Sequence, residues 1–363
     1  MRAMILAAGV GSRLAPITDT LPKPLIPVLG EPVLSRIIDL LQKNGFTKLV
    51  ANTHYLGNKI YEKYRDSIKI IQEDQLSGVA GGIRVCADFL KADKQTFAII
   101  MGDALTDINL SEMLAAHKLS GRKATIAVKQ VEDTSGFGVV CFDDTNKVIS
   151  FQEKPKNEEA LSNWANTGVY LFENEILDFI PNADIAPVYD VAHDLFPALL
   201  SAGIELNVYE TNAYWADLGT HKQYRETLFD CLEQTIQVDI QGQKYSWGYL
   251  GDGSELKPGC FIKGQAYIGS NCSIGRAILK GKVIIEDNCT IEDNVVLEDC
   301  FIMSGSIIRS GCRIREMNIG LNSDICASAE PDQTAIRISP ISDKRSMENA
   351  FLAITEMNNS KVV

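Results

Sequence analysis

The sequence predicts an α/β protein in which a doubly wound mixed sheet is followed by a parallel β-helix. Through about the first 230 residues, short β-branched apolar runs alternate with segments of helical periodicity. From about residue 235 onward, helical periodicity stops and aliphatic residues recur every six positions. The length of 363 residues fits two domains or three. We predict domains at residues 1–232 and 233–330, and a tail at 331–363.

Buried strands in the first part are predicted from their length and β-branched content. They are Ala3–Ala8, Lys48–Asn52, Ile68–Gln72, Phe97–Met101 and Thr125–Val128. Helical spacing of apolar residues is found at Val33–Gln42, Asn58–Tyr64 and Leu110–Leu119. This alternation is typical of a mostly parallel sheet, which binds ligands at the carboxyl ends of its strands. We therefore expect the loops after Ala8 and Met101 to carry chemistry.

The second part contains a six-residue repeat. Its aliphatic positions are Ile268, Ile274, Ile285, Ile291, Leu297 and Met303, with Ile308 and Ile314 after a one-residue slip. The third residue after these positions is often Asn or Gly, and Cys272, Cys289 and Cys312 each precede one by two residues. The period predicts β-helix coils that stack aliphatic residues and small cysteines inside. The segment Asp343–Met357 is predicted to form an amphipathic helix.

Composition excludes several classes of partner. The chain has 35 Lys and Arg against 47 Asp and Glu, a net charge of −12, which disfavours a nucleic acid partner. Its apolar stretches fall far short of the ~20 residues of a membrane span, so no membrane partner is expected. No signal peptide is recognisable, and the nine cysteines contain no C-x-x-C pair. A cytoplasmic location is therefore expected.

A glycine-containing loop after the first strand predicts phosphate binding. Its backbone N–H groups can face an anion. The planar guanidinium of Arg13 suits phosphate oxygens, and Lys23, between two prolines, adds a point charge. The predicted nucleotide-binding residues here are Leu6, Ala7, Ala8, Gly9, Gly11, Ser12, Arg13 and Lys23. The spacing matches neither the dinucleotide fingerprint nor a Walker loop. The alternative is an ordinary strand-to-helix turn with surface cations.

The whole string resembles the signature of the sugar-1-phosphate nucleotidyltransferases, L-A-x-G-x-G-[ST]-R-L-x-P-x-T followed by P-K-P. It covers Leu6–Thr18 and Pro22-Lys23-Pro24. Further segments resemble that family's motifs in the same order, namely Met101–Asp103, Phe137–Val140, Phe151–Pro155, Asn166–Tyr170 and Trp215–Thr220. The resemblance implies the nucleotidyltransferase fold, with a left-handed β-helix of hexapeptide repeats.

The resemblance also implies roles for single residues. Asp103 and Asp217 would bind a divalent metal, Lys154 the sugar phosphate and Glu153 the sugar hydroxyls. Gly138, Asn166 and Gly168 would line the sugar pocket. Carboxylates are the ligands that Mg²⁺ prefers, and the cations Arg13, Lys23 and Lys154 would offset repulsion between two phosphorylated substrates. The alternatives are a helix cap for a strand-end aspartate and a surface ion pair for Glu153.

The catalytic aspartates are expected to meet at one edge of the sheet. Asp103 follows Phe97–Met101, and Ala213–Trp215 is interpreted as a further strand of that sheet before Asp217. Gly102 is expected to contact the nucleotide.

The run Gln72–Asp74 followed by Gly78–Gly82 resembles the family's base-reading segment, with Val79 in place of the usual Thr. Gln72 would read the base edge, and Gly78 would let the base approach the backbone. The alternative is a loop that joins a strand to a helix.

The resemblance implies transfer of a nucleotidyl group from a nucleoside triphosphate to a sugar 1-phosphate. Length and β-helix are most similar to mannose-1-phosphate guanylyltransferases, which favours GTP and mannose 1-phosphate. The alternatives are a thymidylyl-, uridylyl- or other guanylyltransferase, or a regulatory subunit that binds nucleotide sugars. A bifunctional acetyltransferase is disfavoured because no histidine follows His221. The β-helix is expected to serve assembly, as part of a homo-oligomer.

Overall fold

A computed structural model describes residues 1–93 and 95–327, together with the backbone of residues 337–340. The chain forms two compact units. The first contains Met1–Val10, Pro22–Ile26 and Val33–Asp217. The second contains Gly11–Leu21, Pro27–Pro32 and the described residues from Leu218 onward. The chain therefore passes from one unit to the other four times between residues 10 and 33.

The elements up to residue 232 include all the predicted strands and helices, with ends displaced by at most two residues. The strands are β1 (Arg2–Leu6), β2 (Pro27–Val28), β3 (Glu31–Pro32), β4 (Lys48–Thr53), β5 (Lys69–Gln72), β6 (Phe97–Met101), β7 (Ala104–Thr106), β8 (Ala124–Gln130), β9 (Val139–Phe142), β10 (Val148–Gln152), β11 (Trp164–Phe172), β12 (Leu206–Glu210) and β13 (Trp215–Asp217). The helices are α1 (Ile17–Thr20), α2 (Val33–Lys43), α3 (Gly57–Tyr64), α4 (Gly78–Val85), α5 (Ala87–Lys91), α6 (Leu110–Ser120), α7 (Phe196–Ser201) and α8 (His221–Leu232). Short 3₁₀ turns lie at Ser12–Leu14, Lys23–Leu25, Asn157–Glu159 and Asn174–Phe179, and a π-helical turn at Val191–Leu195.

A nine-stranded mixed sheet forms the centre of the first unit. Its order is β10-β9-β11-β6-β1-β4-β5, with β8 beside β11 and β12 beside β8. Strands β1, β4, β5 and β6 run parallel, whereas β11 is antiparallel to β6, β8 and β9. The doubly wound mixed sheet expected from sequence is confirmed, and its antiparallel pairs are those of β9, β10 and β11. A short connection joins the antiparallel neighbours β9 and β10, whereas parallel neighbours need a crossover.

The register of the parallel half places two loops side by side. Leu6 at the end of β1 pairs with Met101 at the end of β6 and with Asn52 on β4. The buried core beneath them includes Met4 and Ile99, both fully excluded from solvent. The loops after β1 and β6, which the sequence predicts to carry chemistry, therefore leave the sheet at adjacent points.

The strand that carries Asp217 lies outside this sheet. β13 pairs only with β7 among the described strands, as an antiparallel two-stranded ribbon in which Asp217 is opposite Ala104. The expectation that Ala213–Trp215 forms a strand of the main sheet is therefore wrong. The three-residue ribbon is too short to give a sequence periodicity, and its pairing places Asp217 across from the residue after Asp103.

The second unit contains a parallel β-helix, which confirms the hexad prediction. Its strands are β14 (Gln243–Tyr245), β15 (Gly248–Leu250), β16 (Glu255–Leu256), β17 (Phe261–Ile268), β18 (Ser273–Ile274), β19 (Ile278–Ile285), β20 (Thr290–Ile291), β21 (Val296–Ile302), β22 (Ile307–Ile308), β23 (Arg313–Arg315), β24 (Asn318–Ile319), β25 (Ser323–Cys326) and β26 (Arg337–Pro340). One sheet runs β14-β15-β17-β19-β21-β23, with β24 also on β21, and the other runs β16-β18-β20-β22-β25-β26. Pairing is parallel except at β14/β15 and β25/β26.

The coil repeat explains the six-residue period. Thr290 pairs with Ile307 and Ile278 pairs with Val296, so one coil takes 17 or 18 residues, or three hexads. All the predicted aliphatic positions are buried, as are Cys272, Cys289 and Cys312. The asparagines after these positions (Asn271, Asn288 and Asn294) have φ of 55°, 59° and 64°, a left-handed conformation that Asn tolerates at coil corners.

No disulfide joins any of the nine cysteines, all of which lie among the described residues. None of the helices in the described part of the chain combines the length and apolar character that a membrane crossing requires. Residues 337–340 form β26, whereas the predicted helix Asp343–Met357 lies outside the described residues.

Candidate active site

A buried lysine joins the two aspartates that the sequence predicts as metal ligands. Lys23 Nζ lies 2.6 Å from Asp103 Oδ2 and 3.3 Å from Asp217 Oδ1. Lys23 is 6% exposed, and both carboxylates are partly buried. Because a buried ammonium is stable only when it is paired, this contact fixes the position of all three side chains. The structure thus brings together the predicted metal pair and one predicted phosphate ligand.

Four contacts hold the segment that leads to Asp217. The Tyr214 N–H donates to Asp107 Oδ1 (2.7 Å), and the Thr106 hydroxyl donates to the Tyr214 carbonyl (2.6 Å). Trp215 Nε1–H donates to the Thr167 carbonyl (3.0 Å), and Lys129 Nζ donates to the Ala213 carbonyl. Burial lowers the pKa of Lys129. Sequence reasoning missed Asp107, Thr106 and Lys129, because side chains that bind backbone atoms leave no motif.

The loop after β1 is built against the loop after β6. The Ala7 N–H donates to Asn52 Oδ1 (3.1 Å), and the Gly102 N–H donates to the Leu6 carbonyl (2.9 Å). A Cβ on Gly102 would lie 2.7 Å from that carbonyl oxygen, so only glycine fits. Leu6, Ala7 and Ala8 are buried, but Gly9 is exposed, with open space where a side chain would lie. An anion can therefore approach the Gly9 backbone.

The rest of the glycine loop belongs to the second unit. Gly11 has φ of 70°, and its carbonyl accepts from the Thr18 hydroxyl at 3.0 Å. Ser12 and Arg13 then lie in a 3₁₀ turn and are both exposed to solvent. The signature residues therefore form a turn whose charged side chain is accessible.

The predicted sugar residues lie together in the first unit. The Asn166 N–H donates to the Gly138 carbonyl (2.8 Å), and the Gly168 N–H donates to Asn166 Oδ1 (3.1 Å). A Cβ on Gly138 would lie 2.8 Å from Glu153 Oε2. Lys154 Nζ lies 2.9 Å from Glu153 Oε1 and is exposed, with a left-handed φ of 43°. Such a conformation on a non-glycine residue is common at binding sites.

A bulge in β11 joins this sugar cluster to the strand before Asp103. Asn166 pairs with Val128 and Tyr170 with Ile126, so β11 has two extra residues between these pairs. The bulge brings Gly168 against Met101, whose Cγ would lie 2.3 Å from an added Cβ. Bulges of this kind redirect side chains near active sites. The sugar cluster is therefore held directly beside the end of β6.

The predicted base-reading segment has one exposed and one buried residue at the end of β5. Gln72 is exposed and donates to the His54 carbonyl (3.1 Å). Glu73, which follows β5, is buried and accepts from Asn52 Nδ2 (2.5 Å) and from the Ser77 hydroxyl. Glu73 therefore contacts the start of the glycine-rich helix α4, and Gln72 contacts the chain before α3.

Gly78 begins α4 with φ of 78°, and an added Cβ would lie 2.6 Å from the Tyr189 carbonyl. The Gly81 N–H donates to that same carbonyl, and the Tyr189 N–H donates to the Ser77 carbonyl. Glycine is required at position 78 because another backbone segment crosses it.

The lysine–aspartate contact also tests whether a metal fits. The two carboxylates converge on one ammonium, which occupies the place of a cation between hard oxygen donors. Within the described ranges, no group of three or more His, Cys, Asp or Glu side chains could hold a metal. Phosphate and water oxygens would have to complete the coordination, as Mg²⁺ sites with one or two carboxylates require. The donor set therefore fits a metal that binds together with phosphorylated substrates.

Comparison with known proteins gives the same assignment. The nucleotidyl transferase family model matches residues 2–234, and the GMPPB C-terminal domain model matches residues 256–339. A UTP–glucose-1-phosphate uridylyltransferase of Synechocystis is 38% identical over 260 residues, covering 67% of this chain and 66% of that protein. A mannose-1-phosphate guanyltransferase beta-A of Xenopus laevis is 28% identical over 260 residues, covering 69% of this chain and 70% of that protein.

A solved structure shares the fold of part of this chain. The crystal structure of HddC from Yersinia pseudotuberculosis complexed with GMP-PN has a TM-score of 0.54 at 20% identity. It covers 63% of this chain and 99% of that one. The family model covers well over half of the chain, and this coverage establishes the assignment. This chain belongs to the nucleotidyl transferase family.

Proposed function

We propose that this protein transfers a nucleotidyl group from a nucleoside triphosphate to a sugar 1-phosphate. The products are a nucleoside diphosphate sugar and pyrophosphate. The observation that carries the proposal is the contact of Lys23 with Asp103 and Asp217, at the end of β6 and beside the sugar cluster. The family match and the sugar-1-phosphate substrates named for both relatives support it.

The chain's own residues would act by binding and charge neutralisation. The sugar phosphate is already ionised, so its oxygen attacks the α-phosphorus without a general base. Lys154 binds the sugar phosphate and Glu153 the sugar hydroxyls, while Lys23 and Arg13 bind the triphosphate. Asp103 and Asp217 would hold Mg²⁺, which neutralises phosphate charge when it is bound. Alignment of the two substrates supplies most of the acceleration.

For the substrate pair we propose GTP and mannose 1-phosphate, giving GDP-mannose. The match to the GMPPB C-terminal domain and the guanyltransferase relative support this pair. The relative at 38% identity is a uridylyltransferase for glucose 1-phosphate, so UTP with glucose 1-phosphate is the second candidate. A thymidylyltransferase is the remaining enzyme alternative. The regulatory-subunit alternative is disfavoured because Lys23, Asp103 and Asp217 are present and in contact.

The proposal includes a cytoplasmic homo-oligomer assembled through the β-helix. The absence of disulfides among the nine cysteines supports a reducing compartment. On the outer face of the β-helix, exposed Phe261 pairs across coils with exposed Ile278, which forms an apolar ladder. Light scattering of the full chain measures the oligomeric state directly.

A panel of four nucleoside triphosphates and several sugar 1-phosphates tests the reaction. We expect pyrophosphate release that requires both substrates, with the highest kcat/KM for GTP and mannose 1-phosphate. Preference for UTP and glucose 1-phosphate would leave the reaction in place but contradict the proposed pair. If no combination releases pyrophosphate while nucleotide sugars bind, the regulatory-subunit alternative is correct.

Asp103→Asn and Asp217→Asn each remove one carboxylate charge without changing the side-chain shape. We expect each to lower divalent-metal affinity and turnover by about 100-fold or more, because metal ligands contribute several kcal/mol. Folding should persist, since Lys23 keeps one carboxylate partner. Turnover against Mg²⁺ concentration measures the effect, with circular dichroism for the fold and Asp178→Asn, at an exposed surface pair, as the control. If turnover of both variants depends on Mg²⁺ concentration as in wild type, these aspartates are not metal ligands.

Lys154→Ala removes the charge assigned to the sugar phosphate. A charge-assisted contact contributes about 1.5–3 kcal/mol, so the KM for sugar 1-phosphate should rise about 10- to 100-fold. The KM for the triphosphate should change little. Lys156→Ala is a matched control, since Lys156 is an exposed lysine two residues away that pairs with Glu159. Equal increases in both KM values for Lys154→Ala would show that the assignment is wrong.

A further inference from the structure

The predicted phosphate-binding loop begins in the first unit where the strand pairing of β1 stops. The pairing of β1 with β4 ends at Leu6 and Asn52, and the pairing of β1 with β6 ends at Leu6 and Met101. Ala7 is the next residue along the chain and is 2% exposed. A buried N–H without an acceptor is costly, so the first peptide group of the loop needs an acceptor from outside the strand ladder.

The side chain of Asn52 supplies that acceptor. The Ala7 N–H donates to Asn52 Oδ1 at 3.1 Å, and Asn52 Nδ2 donates to Glu73 Oε1 at 2.5 Å. Because a backbone N–H can only donate, the amide oxygen of Asn52 must face Ala7 and its nitrogen must face Glu73. Asn52 is 3% exposed. One buried amide therefore joins the start of the loop to the residue that follows β5.

Glu73 extends this connection to helix α4. Its Oε2 accepts from the hydroxyl of Ser77, the residue before Gly78 begins the helix. Its backbone N–H donates to the Thr53 carbonyl at 2.7 Å, which holds the residue against the end of β4. Glu73 is 5% exposed, and a buried carboxylate is stable only where donors satisfy its oxygens. Loss of the Asn52 donor would therefore disturb the contact of Glu73 with Ser77.

The glycines of α4 allow the helix to lie directly on these side chains. A Cβ at Gly82 would lie 2.5 Å from Asn52 Nδ2, and a Cβ at Gly81 would lie 2.7 Å from Ser77 Oγ. Both glycines are buried. Because no side chain separates the helix backbone from Asn52 and Ser77, a rearrangement of these two residues moves the start of α4.

We propose that Asn52 is a positioning residue for nucleotide binding, because it links the phosphate-binding loop to the base-reading segment. Asn52 is buried, so it acts through the Ala7 N–H on one side and through Glu73 on the other. A triphosphate that places its phosphates on the loop and its base at the start of α4 needs both segments at a fixed separation. The inference rests on the proposed function only in assigning these two segments to the triphosphate.

The effect should be confined to the triphosphate. The sugar cluster is held by other contacts, since the Asn166 N–H donates to the Gly138 carbonyl and the Gly168 N–H donates to Asn166 Oδ1. A change at Asn52 should therefore weaken triphosphate binding without a matching effect on the sugar 1-phosphate.

The test uses full-chain variants that break the link and a double variant that rebuilds it. Asn52→Leu removes both hydrogen bonds of the amide. Asn52→Asp keeps an oxygen for the Ala7 N–H but sets a second carboxylate against Glu73, which breaks the link by repulsion. Adding Glu73→Gln to Asn52→Asp exchanges donor and acceptor. The introduced amide nitrogen can donate to the introduced carboxylate, and the amide oxygen can still accept from Ser77.

Asn207→Leu is the matched control. Asn207 is an asparagine on β12 of the same sheet and is 4% exposed. Its side chain accepts from Arg122 and donates to Thr125, so it stabilises a different part of the first unit. The measurements are the Kd of GTP and of UTP by calorimetry, the KM for sugar 1-phosphate at saturating triphosphate, and the Tm.

For Asn52→Leu and Asn52→Asp we expect triphosphate binding to weaken about tenfold or more, with less than about a twofold change in the sugar 1-phosphate KM. The double variant should bind triphosphate within about threefold of wild type, which would show that the two side chains act together. Asn207→Leu should lower the Tm without weakening triphosphate binding.

A double variant that binds no better than Asn52→Asp would overturn the positioning role, and so would equal losses for triphosphate and sugar 1-phosphate. If Asn52→Leu fails to fold, the comparison of Asn52→Asp with the double variant decides alone. Pyrophosphate release by wild type tests the proposed function separately, because the Kd values are measured without turnover.

Discussion

The buried ammonium of Lys23 between two carboxylates is the interaction on which the rest of the first unit depends. Isolated, a buried ammonium would cost several kcal/mol, and so would two adjacent carboxylates. Placed together, the ammonium is paired and offsets one of the two carboxylate charges. The backbone around each of these residues is restrained. Lys23 lies between two prolines, and Asp103 follows Gly102, which lies against the Leu6 carbonyl. Asp217 lies in a two-stranded ribbon held by backbone hydrogen bonds. The same charges suit a site where two phosphorylated molecules and a divalent cation must meet.

Around this charge cluster, the fold uses backbone irregularities to place its binding groups. The β11 bulge brings Gly168 against Met101, and the left-handed conformation of Lys154 presents its side chain to solvent next to Glu153. In the second unit, the buried carboxylate of Glu286 accepts from the Gly30 N–H in the turn between β2 and β3. The irregularities at Gly168 and Lys154 coincide with predicted binding residues, as expected when binding geometry rather than stability sets the backbone.

Sequence predicted the parts of the structure that depend on local pattern. Strands such as Phe97–Met101 and the buried positions of the β-helix follow from periodicity, and the asparagines at coil corners follow from their tolerance of left-handed φ. Three features could not be predicted. The β7–β13 ribbon is too short for periodicity, Lys129 acts on a backbone carbonyl, and the Gly30–Glu286 contact joins residues 256 positions apart. Contacts of that separation leave no signal in a single sequence.

The most direct test of the account is Mn²⁺ binding without nucleotide, measured by electron paramagnetic resonance on wild type and Lys23→Met. Lys23 occupies the cation position between Asp103 and Asp217, so it should compete with a metal. Removing the ammonium should tighten Mn²⁺ binding by about tenfold or more, since opposite charges at this distance interact strongly. Lys154→Met removes an exposed lysine that contacts neither Asp103 nor Asp217 in the described ion pairs, so it should leave Mn²⁺ affinity unchanged. Equal or weaker Mn²⁺ binding by a folded Lys23→Met protein would contradict the account.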